Sequence, residues 1–449
     1  MLKKAACAVV LSLAAGLLLS GAEAADITIN EGVKYQTIEG FGAYANIGAW
    51  RTQVGPFYVD VDLEAVGFYD SVVSQLGATL LRTNIDSYFE PSQGTWDVSR
   101  IRGWFRTING LRAAAARQGE PINFVCSCWS PPGWMKVSGI VEGNTAAAPS
   151  YYSTDCRLKD GFDDELAAFF VKYVQTVKDS TGMDYYALSL QNEPRFQEPY
   201  ASCVYTGSRY TSVLKVVGAA LQNAGLPTRL FGAEGMSHSF PNDFESYIRN
   251  DATALGYIDS WAVHGYTDGV HSDTGAFQGS TPTDKTLWMS ETSGSGYGSG
   301  VNDWGGAMSL ARNILKYLRT GRITAWIWWG LHAVVSPGEE GTTPAEYELI
   351  VNFTPTQKWW TSSHFYRFIR PGARQVQSNS TDGQVMVVAF KHDANNCLSI
   401  VLVNTSSSTK TINVGGVNVP SQFEWHVSNA TQKRVMSTVS NTGISMPGN

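Results

Sequence analysis

Charge is what this sequence has least of. Only 16% of its 449 residues are charged, and the 33 bases do not outnumber the 39 acids. A net charge of −6 provides no field to attract a polyanion. That excludes nucleic acid and an anionic membrane surface as partners. Long apolar runs are also missing. Apart from a short one at the N-terminus, no run approaches the roughly 18 residues that a spanning helix needs. Neither C-x-x-C nor H-E-x-x-H occurs, so no metal site and no cofactor is called for. There is no repeat of solenoid length.

Cysteine is scarce, at six residues. Cys7 falls in a segment that reads as a secretory leader, residues 1–24. Lys3 and Lys4 form its basic start, "AACAVVLSLAAGLLL" its apolar stretch, and Ala22-Glu23-Ala24 its cleavage site. The mature chain is then expected to begin near Ala25 and to be secreted, extracellular or periplasmic. Cys126 and Cys128 are two apart on an expected strand, share a face and do not easily bond each other. Cys156 and Cys203 sit in loop-like sequence, and a disulfide between them is left open.

What the chain does have is aromatic side chains, 12% of it and 14 of them Trp. Tryptophan serves equally as core filler and as a platform for sugar rings. The apolar residues are arranged in eight short runs, at 37–44, 78–86, 122–130, 185–193, 229–235, 258–266, 286–291 and 323–330. Longer helical patterns lie between them, including 98–118, 161–180, 207–224 and 303–320. Strands alternating with helices predict an α/β fold with a parallel sheet, and eight of them predict a closed (β/α)8 TIM barrel over 37–370. From 371 to 449 the pattern changes to short alternating runs such as "VMVVAF" and "LSIVLVN", which predicts a C-terminal β-sandwich. Residues 25–36 are strand-like and are expected to join that sandwich from the other end of the chain. Its expected role is to bury apolar surface against the barrel helices.

Two of the eight runs end on a glutamate. "LSLQNEP" carries Glu193 and "LWMSE" carries Glu291. As the ends of the fourth and seventh strands, both project to the C-terminal mouth where such barrels place their chemistry. One carboxylic acid to protonate a glycosidic oxygen, and one carboxylate to attack from the other side, is what glycoside hydrolysis needs. Polar and aromatic residues gather at the other strand ends: Arg82, Trp129, Asn192, His264, Tyr266 and Trp329. "GFGAYA" (40–45) fits a dinucleotide pattern but opens no helix, so no nucleotide site is read from it.

Taken with "EGFGA", "CWSPPGWMK", "VHGY" and "FYRFIRPG", which follow in order along the chain, these motifs resemble glycoside hydrolase family 30. The resemblance implies Glu193 as acid/base and Glu291 as nucleophile, acting with retention through a covalent glycosyl-enzyme. It implies that Asn192 holds the sugar 2-hydroxyl, that Tyr266 orients Glu291, and that Arg82 lies beneath Glu291 and lowers its pKa. Trp129, Trp134 and Trp329 are candidate sugar platforms or core residues. His264 is a hydrogen-bonder of the site or a satisfied strand-end histidine.

The expected function is a secreted, monomeric, retaining β-glycosidase acting on a plant cell-wall polysaccharide or oligosaccharide, with β-1,4-xylan as first choice. The alternatives are a β-1,6-galactanase or β-1,6-glucanase and, from another class, a non-catalytic carbohydrate-binding protein. Members specific for glucuronoxylan use basic residues after strands seven and eight. Here 330–350 has no Arg or Lys and carries Glu339, Glu340, Glu346 and Glu348, so dependence on glucuronate is not expected.

Overall fold

The computed structural model describes residues 6–11, 24–45, 51–54, 57–60, 67–143, 155–236, 243–266, 280–293, 302–333 and 348–449. Eight parallel strands form one sheet: β1 (Gly40–Ala43), β2 (Leu80–Ile85), β3 (Asn123–Cys128), β4 (Ala187–Ser189), β5 (Arg229–Phe231), β6 (Ile258–His264), β7 (Thr286–Glu291) and β8 (Ala325–Trp328). β8 pairs with β1. A bridge between Tyr44 and Arg82, beside the bond from Thr79 N to Phe41 O at 2.8 Å, closes β1 on β2. The fold is therefore an eight-stranded barrel. The closure explains the glycines of "EGFGA". A Cβ on Gly42 would lie 1.7 Å from the Leu80 carbonyl oxygen, so only glycine permits this approach.

The helices form where the apolar spacing places them. Asp163–Thr181 buries Leu166, Phe169, Phe170, Tyr173 and Val177 on one stripe, with three acidic residues in its first turn, where the helix dipole favours them. It ends at Gly182, whose φ of 64° is left-handed. Trp304–Lys316 starts at Asp303, whose carboxylate accepts from Gly306 N at 2.9 Å. Among the described residues no helix is long and apolar enough to cross a membrane.

The second sheet is nine-stranded and mostly antiparallel. Ala24–Thr37 lies in it between Arg374–Ser380 and Lys410–Gly416. The sheet is apolar on both sides because its strands alternate. Leu398, Ile400 and Leu402 face a core of its own, while Val401, Val403, Val388 and Phe390 belong to the barrel's core. The segment read as a leader contributes one strand, Ala6–Leu11, parallel to both Cys397–Asn404 and Gln422–Ser428. Cys156 and Cys203 are buried free thiols.

Inside the barrel an apolar layer of Leu80, Val125, Ala187, Phe231, Trp288 and Ile327 fills the middle. Below it, one carboxylate ties the strands together. Glu39, just before β1, accepts from Tyr186 Oη (2.9 Å), Thr286 Oγ1 (2.9 Å), Trp288 Nε1 (2.8 Å) and Thr324 Oγ1 (2.8 Å), and pairs with Arg229 (3.1 Å). Burial raises its pKa, but these donors and the Arg229 charge outweigh it and hold the carboxyl below its ordinary value. A depressed carboxylate stabilises the fold above the ordinary carboxylate range and loses that contribution as pH falls through its lowered value. Glu39→Gln should therefore cost about 2 kcal/mol at neutral pH. Thermal melts from pH 7 to pH 3 should show the gap between parent and variant narrowing as the solution becomes acidic.

Candidate active site

At the other end of the barrel the strands deliver polar groups to a cleft of about 1040 Å³. Its foundation is Arg82 on β2, fully buried. Nε donates to Ser127 Oγ at 2.9 Å, one terminal nitrogen donates to Glu291 Oε2, and the other donates to Asn192 Oδ1 at 2.7 Å and lies 3.0 Å from Glu234 Oε1. The guanidinium also stacks 4.6 Å over the ring of Trp129. Side chains from β2, β3 and β7 and from the ends of β4 and β5 thus meet on one planar cation.

Local backbone places the two glutamates. After β4 the chain leaves the sheet, with Asn192 N bonded to Cys128 O (2.7 Å) and Glu193 N to Glu234 O (3.0 Å). Glu193 takes a left-handed φ of 43°, a conformation that costs a non-glycine residue about 1–3 kcal/mol and is held here by both neighbouring strands. Gln191 donates to Trp129 O at 2.7 Å and locks the same corner. Glu291 ends β7 directly. Its Oε1 accepts from Tyr266 Oη at 2.9 Å.

Oxygens of Glu193 and Glu291 and a ring nitrogen of His264 lie within 4.8 Å of one another. His264 Nδ1 is 2.8 Å from Glu193 Oε1 and 4.0 Å from Glu291 Oε1, and its Nε2 is 3.4 Å from Glu234 Oε1. Burial alone would discharge this imidazole, but Glu291, Glu193 and Glu234 outweigh it and hold its pKa at about 9. Glu234 is also fully buried, and Arg82 and His264 bring it down to about 2. The cluster therefore supplies its own cations, Arg82 and His264, and leaves no uncompensated acidic cage for a metal. Glu291 differs from expectation. Arg82 and His264 do lower its pKa, but burial together with Glu193 leaves it above the ordinary value. The sequence reading counted the guanidinium and missed the desolvation.

The remaining predicted residues divide. Trp329 lines the cleft, stacked on Tyr44 at 4.0 Å, with Trp129 5.8 Å away and tilted. Trp134 does not reach it. Its ring packs on Phe162 and its Nε1 donates to Glu90 O at 3.0 Å, so of its two readings the packing one is what its contacts support. Lys136, of "CWSPPGWMK", is a buried staple instead, donating to Val141 O (2.8 Å), Glu142 O (3.2 Å) and Ser202 O (2.6 Å). It joins the loop after β3 to the loop after β4. Glu348 lines the cleft, whereas Glu339, Glu340, Glu346 and the Gly-rich 294–300 lie outside the described residues. Sequence reading missed Glu234 and Glu198. "LFGAEG" ends on a carboxylate as the other two runs do, so Glu234 had a signal. Glu198 is in a loop and had none.

The family model described as the glycosyl hydrolase family 30 TIM-barrel domain matches residues 106–368, more than half of the chain. The chain is 23% identical over 388 residues to glucuronoxylanase XynC of Bacillus subtilis, covering 86% of this chain and 79% of that one. It is 26% identical over 254 residues to an endo-1,6-β-D-glucanase of Neurospora crassa, covering 52% and 49%. Among solved structures, the catalytic domain of GH30 xylanase C from Talaromyces cellulolyticus superposes with a TM-score of 0.74 at 20% identity, covering 94% of this chain and 98% of that one.

Removing the Glu234 charge should release His264. In Glu234→Gln its titration, followed by ring 15N resonances, is expected to fall from about 9 toward the ordinary histidine value. A raised histidine stabilises the fold fully below its ordinary pKa and loses that contribution as pH climbs through the raised one. Melting temperatures from pH 6 to pH 10 should therefore decline at lower pH in the variant than in the parent.

Proposed function

Because the chain belongs to glycoside hydrolase family 30, we propose that it is a secreted, retaining β-glycosidase whose acid/base is Glu193 and whose nucleophile is Glu291. The observation that carries this reading is the approach of the two carboxyls, with oxygens within 4.8 Å. That is closer than the roughly 6.5–9.5 Å at which the carboxyls of an inverting pair stand, and it suits direct attack. Two donors, Arg82 and Tyr266, make Glu291 the better seat for negative charge.

In the first step Glu193 protonates the glycosidic oxygen while Glu291 attacks the anomeric carbon. The C–O bond breaks and a glycosyl ester forms. In the second step Glu193 takes a proton from water, which displaces Glu291 and restores the β configuration. Asn192 serves the 2-hydroxyl. Since its Oδ1 is taken by Arg82, its amide N–H groups are the part free to meet a sugar. Trp329 and Tyr44 provide the stacking face.

The substrate we propose first is a β-1,4-xylan without need of glucuronate. Relatives named glucuronoxylanase and xylanase support the backbone. The cleft argues against an acidic side group. Glu348 lines it beside the central pair, and among the described lining residues the one base, Arg100, is already paired with Asp86 at 3.3 Å. The same lining suits an uncharged β-1,6-glucan, the second reading, which the Neurospora relative supports. We further propose that residues 1–24 are removed on export and that the enzyme acts as a monomer.

Product analysis on xylan, arabinoxylan, glucuronoxylan, β-1,6-galactan and β-1,6-glucan tests the substrate, with unbranched or arabinose-bearing xylan expected to be cut at least as well as glucuronoxylan. Proton NMR of the first-formed product should show the β anomer. Glu291→Gln should abolish hydrolysis and keep polysaccharide binding, and Glu193→Gln should lower kcat on natural substrate about 10²–10⁴-fold. Turnover by Glu291→Gln at the parent rate would sink the assignment and leave a carbohydrate-binding protein.

A further inference from the structure

The proposed reaction uses two carboxyls, yet a third lies beside them. Glu198 is only 2% exposed, lines the same cleft, and its carboxyl adjoins that of Glu193. Its Oε2 is buried with no hydrogen-bond partner among the described residues. A carboxylate stranded in that way would cost several kcal/mol of lost solvation, so the geometry alone argues that the group is kept for use.

The loop that carries it is built to hold it there. Glu198 N donates to Ser202 Oγ at 3.1 Å, and Ser202 Oγ in turn donates to Phe196 O at 2.9 Å. Phe196 N bonds Glu193 O at 2.8 Å, and Tyr205 N bonds Pro194 O at 2.8 Å. The Lys136 staple fixes Ser202 from below. Both glutamates therefore sit on one short, cross-tied segment that begins at the proposed acid/base itself.

We propose that Glu198 is a third carboxyl of the acid/base centre, a positioning residue that hydrogen-bonds Glu193 and steadies it as it gives up its proton. Glu198 does so as the neutral acid. Burial, then Glu193 and Glu291, push its pKa up to about 10, so it carries a proton throughout the neutral range. While Glu193 is protonated, the bond between them joins two neutral acids. Once Glu193 has passed its proton to the leaving oxygen, the Glu198 O–H donates to a carboxylate, a charge-assisted bond roughly twice as strong. The interaction therefore strengthens in the transition state, which makes it catalytic in effect. Glu198 neither gains nor loses a proton over the cycle.

This inference rests on the glycosidase reading, and leaving-group dependence separates the two. The probes are phenyl and dinitrophenyl β-glycosides of the sugar that the parent accepts. Glu198→Ala should lower kcat on the phenyl glycoside about 10–100-fold, a part of what general acid catalysis supplies. It should change glycosylation by the dinitrophenyl glycoside, which needs no acid, less than 3-fold. Glu198→Gln, a neutral isostere with an N–H donor, should recover most of the lost rate. Equal losses on both substrates, a change confined to KM, or a Gln variant as slow as the Ala variant would overturn the proposal. A second measurement does not depend on the Ala variant folding. The 13C carboxyl spectrum of the parent at pH 8 should contain a protonated glutamate that is absent from Glu198→Gln, and its absence from the parent would overturn the proposal equally. A parent that cleaves none of the glycosides would count against the glycosidase reading, while the NMR result would still decide the state of Glu198.

Discussion

Everything at the mouth of the barrel depends on one buried cation. Arg82 is fully enclosed, and burying a guanidinium is tolerable only if every side of it is met. Here the sides are met by Ser127, Asn192, Glu234 and Glu291, with Trp129 against its face. A lysine could not replace it. The planar fork reaches three directions at once and stacks on the indole, whereas an ammonium is a single strongly hydrated point. The same contacts that stabilise Arg82 set the orientation of Glu291 and Asn192, so folding and preorganisation of the site are one event.

The barrel is thus tied at both ends by opposite devices. At the bottom a carboxylate, Glu39, collects donors from β5 and β7 and from residues flanking β4 and β8. At the top a guanidinium collects acceptors. Between them lies an apolar layer containing Trp288 and Phe231, which keeps water out and raises the strength of each node. Trp288 belongs to both parts, since its ring fills the layer while its Nε1 reaches Glu39.

Much of this was legible in the chain, and the reasons differ from piece to piece. All eight barrel strands fall inside the apolar runs, because a strand buried on both faces is apolar throughout. The fourth run covers 185–193, yet the strand is only Ala187–Ser189. Gln191 to Glu193 look like its continuation but are held by bonds to the neighbouring strands, and a left-handed φ has no one-letter code. Trp134 was left open between platform and core because an indole beside a motif says nothing about its direction. Glu198 was invisible because its meaning comes from a neighbour five residues away across a turn. Ala6–Leu11 shows a deeper ambiguity, since "ACAVVL" suits the apolar stretch of a leader and a sheet strand alike.

The charges of the cluster also account for the direction of the proposed chemistry. Near neutral pH, Arg82 and His264 are cations and Glu234 is an anion. Neutrality needs one further negative charge, to be shared between Glu193 and Glu291. In the proposed reaction it starts on Glu291, where Arg82 and Tyr266 donate to it. When Glu291 becomes an ester that charge disappears, and Glu193, having lost its proton, acquires one beside His264 at 2.8 Å. The buried sum is the same before and after. The charge moves across a gap of less than 4.8 Å instead of being created in a low-dielectric site, where creating it would be costly. A cation placed to face both carboxyls is what such a transfer requires, and His264, with Nδ1 toward Glu193 and Glu291 and Nε2 toward Glu234, occupies that place.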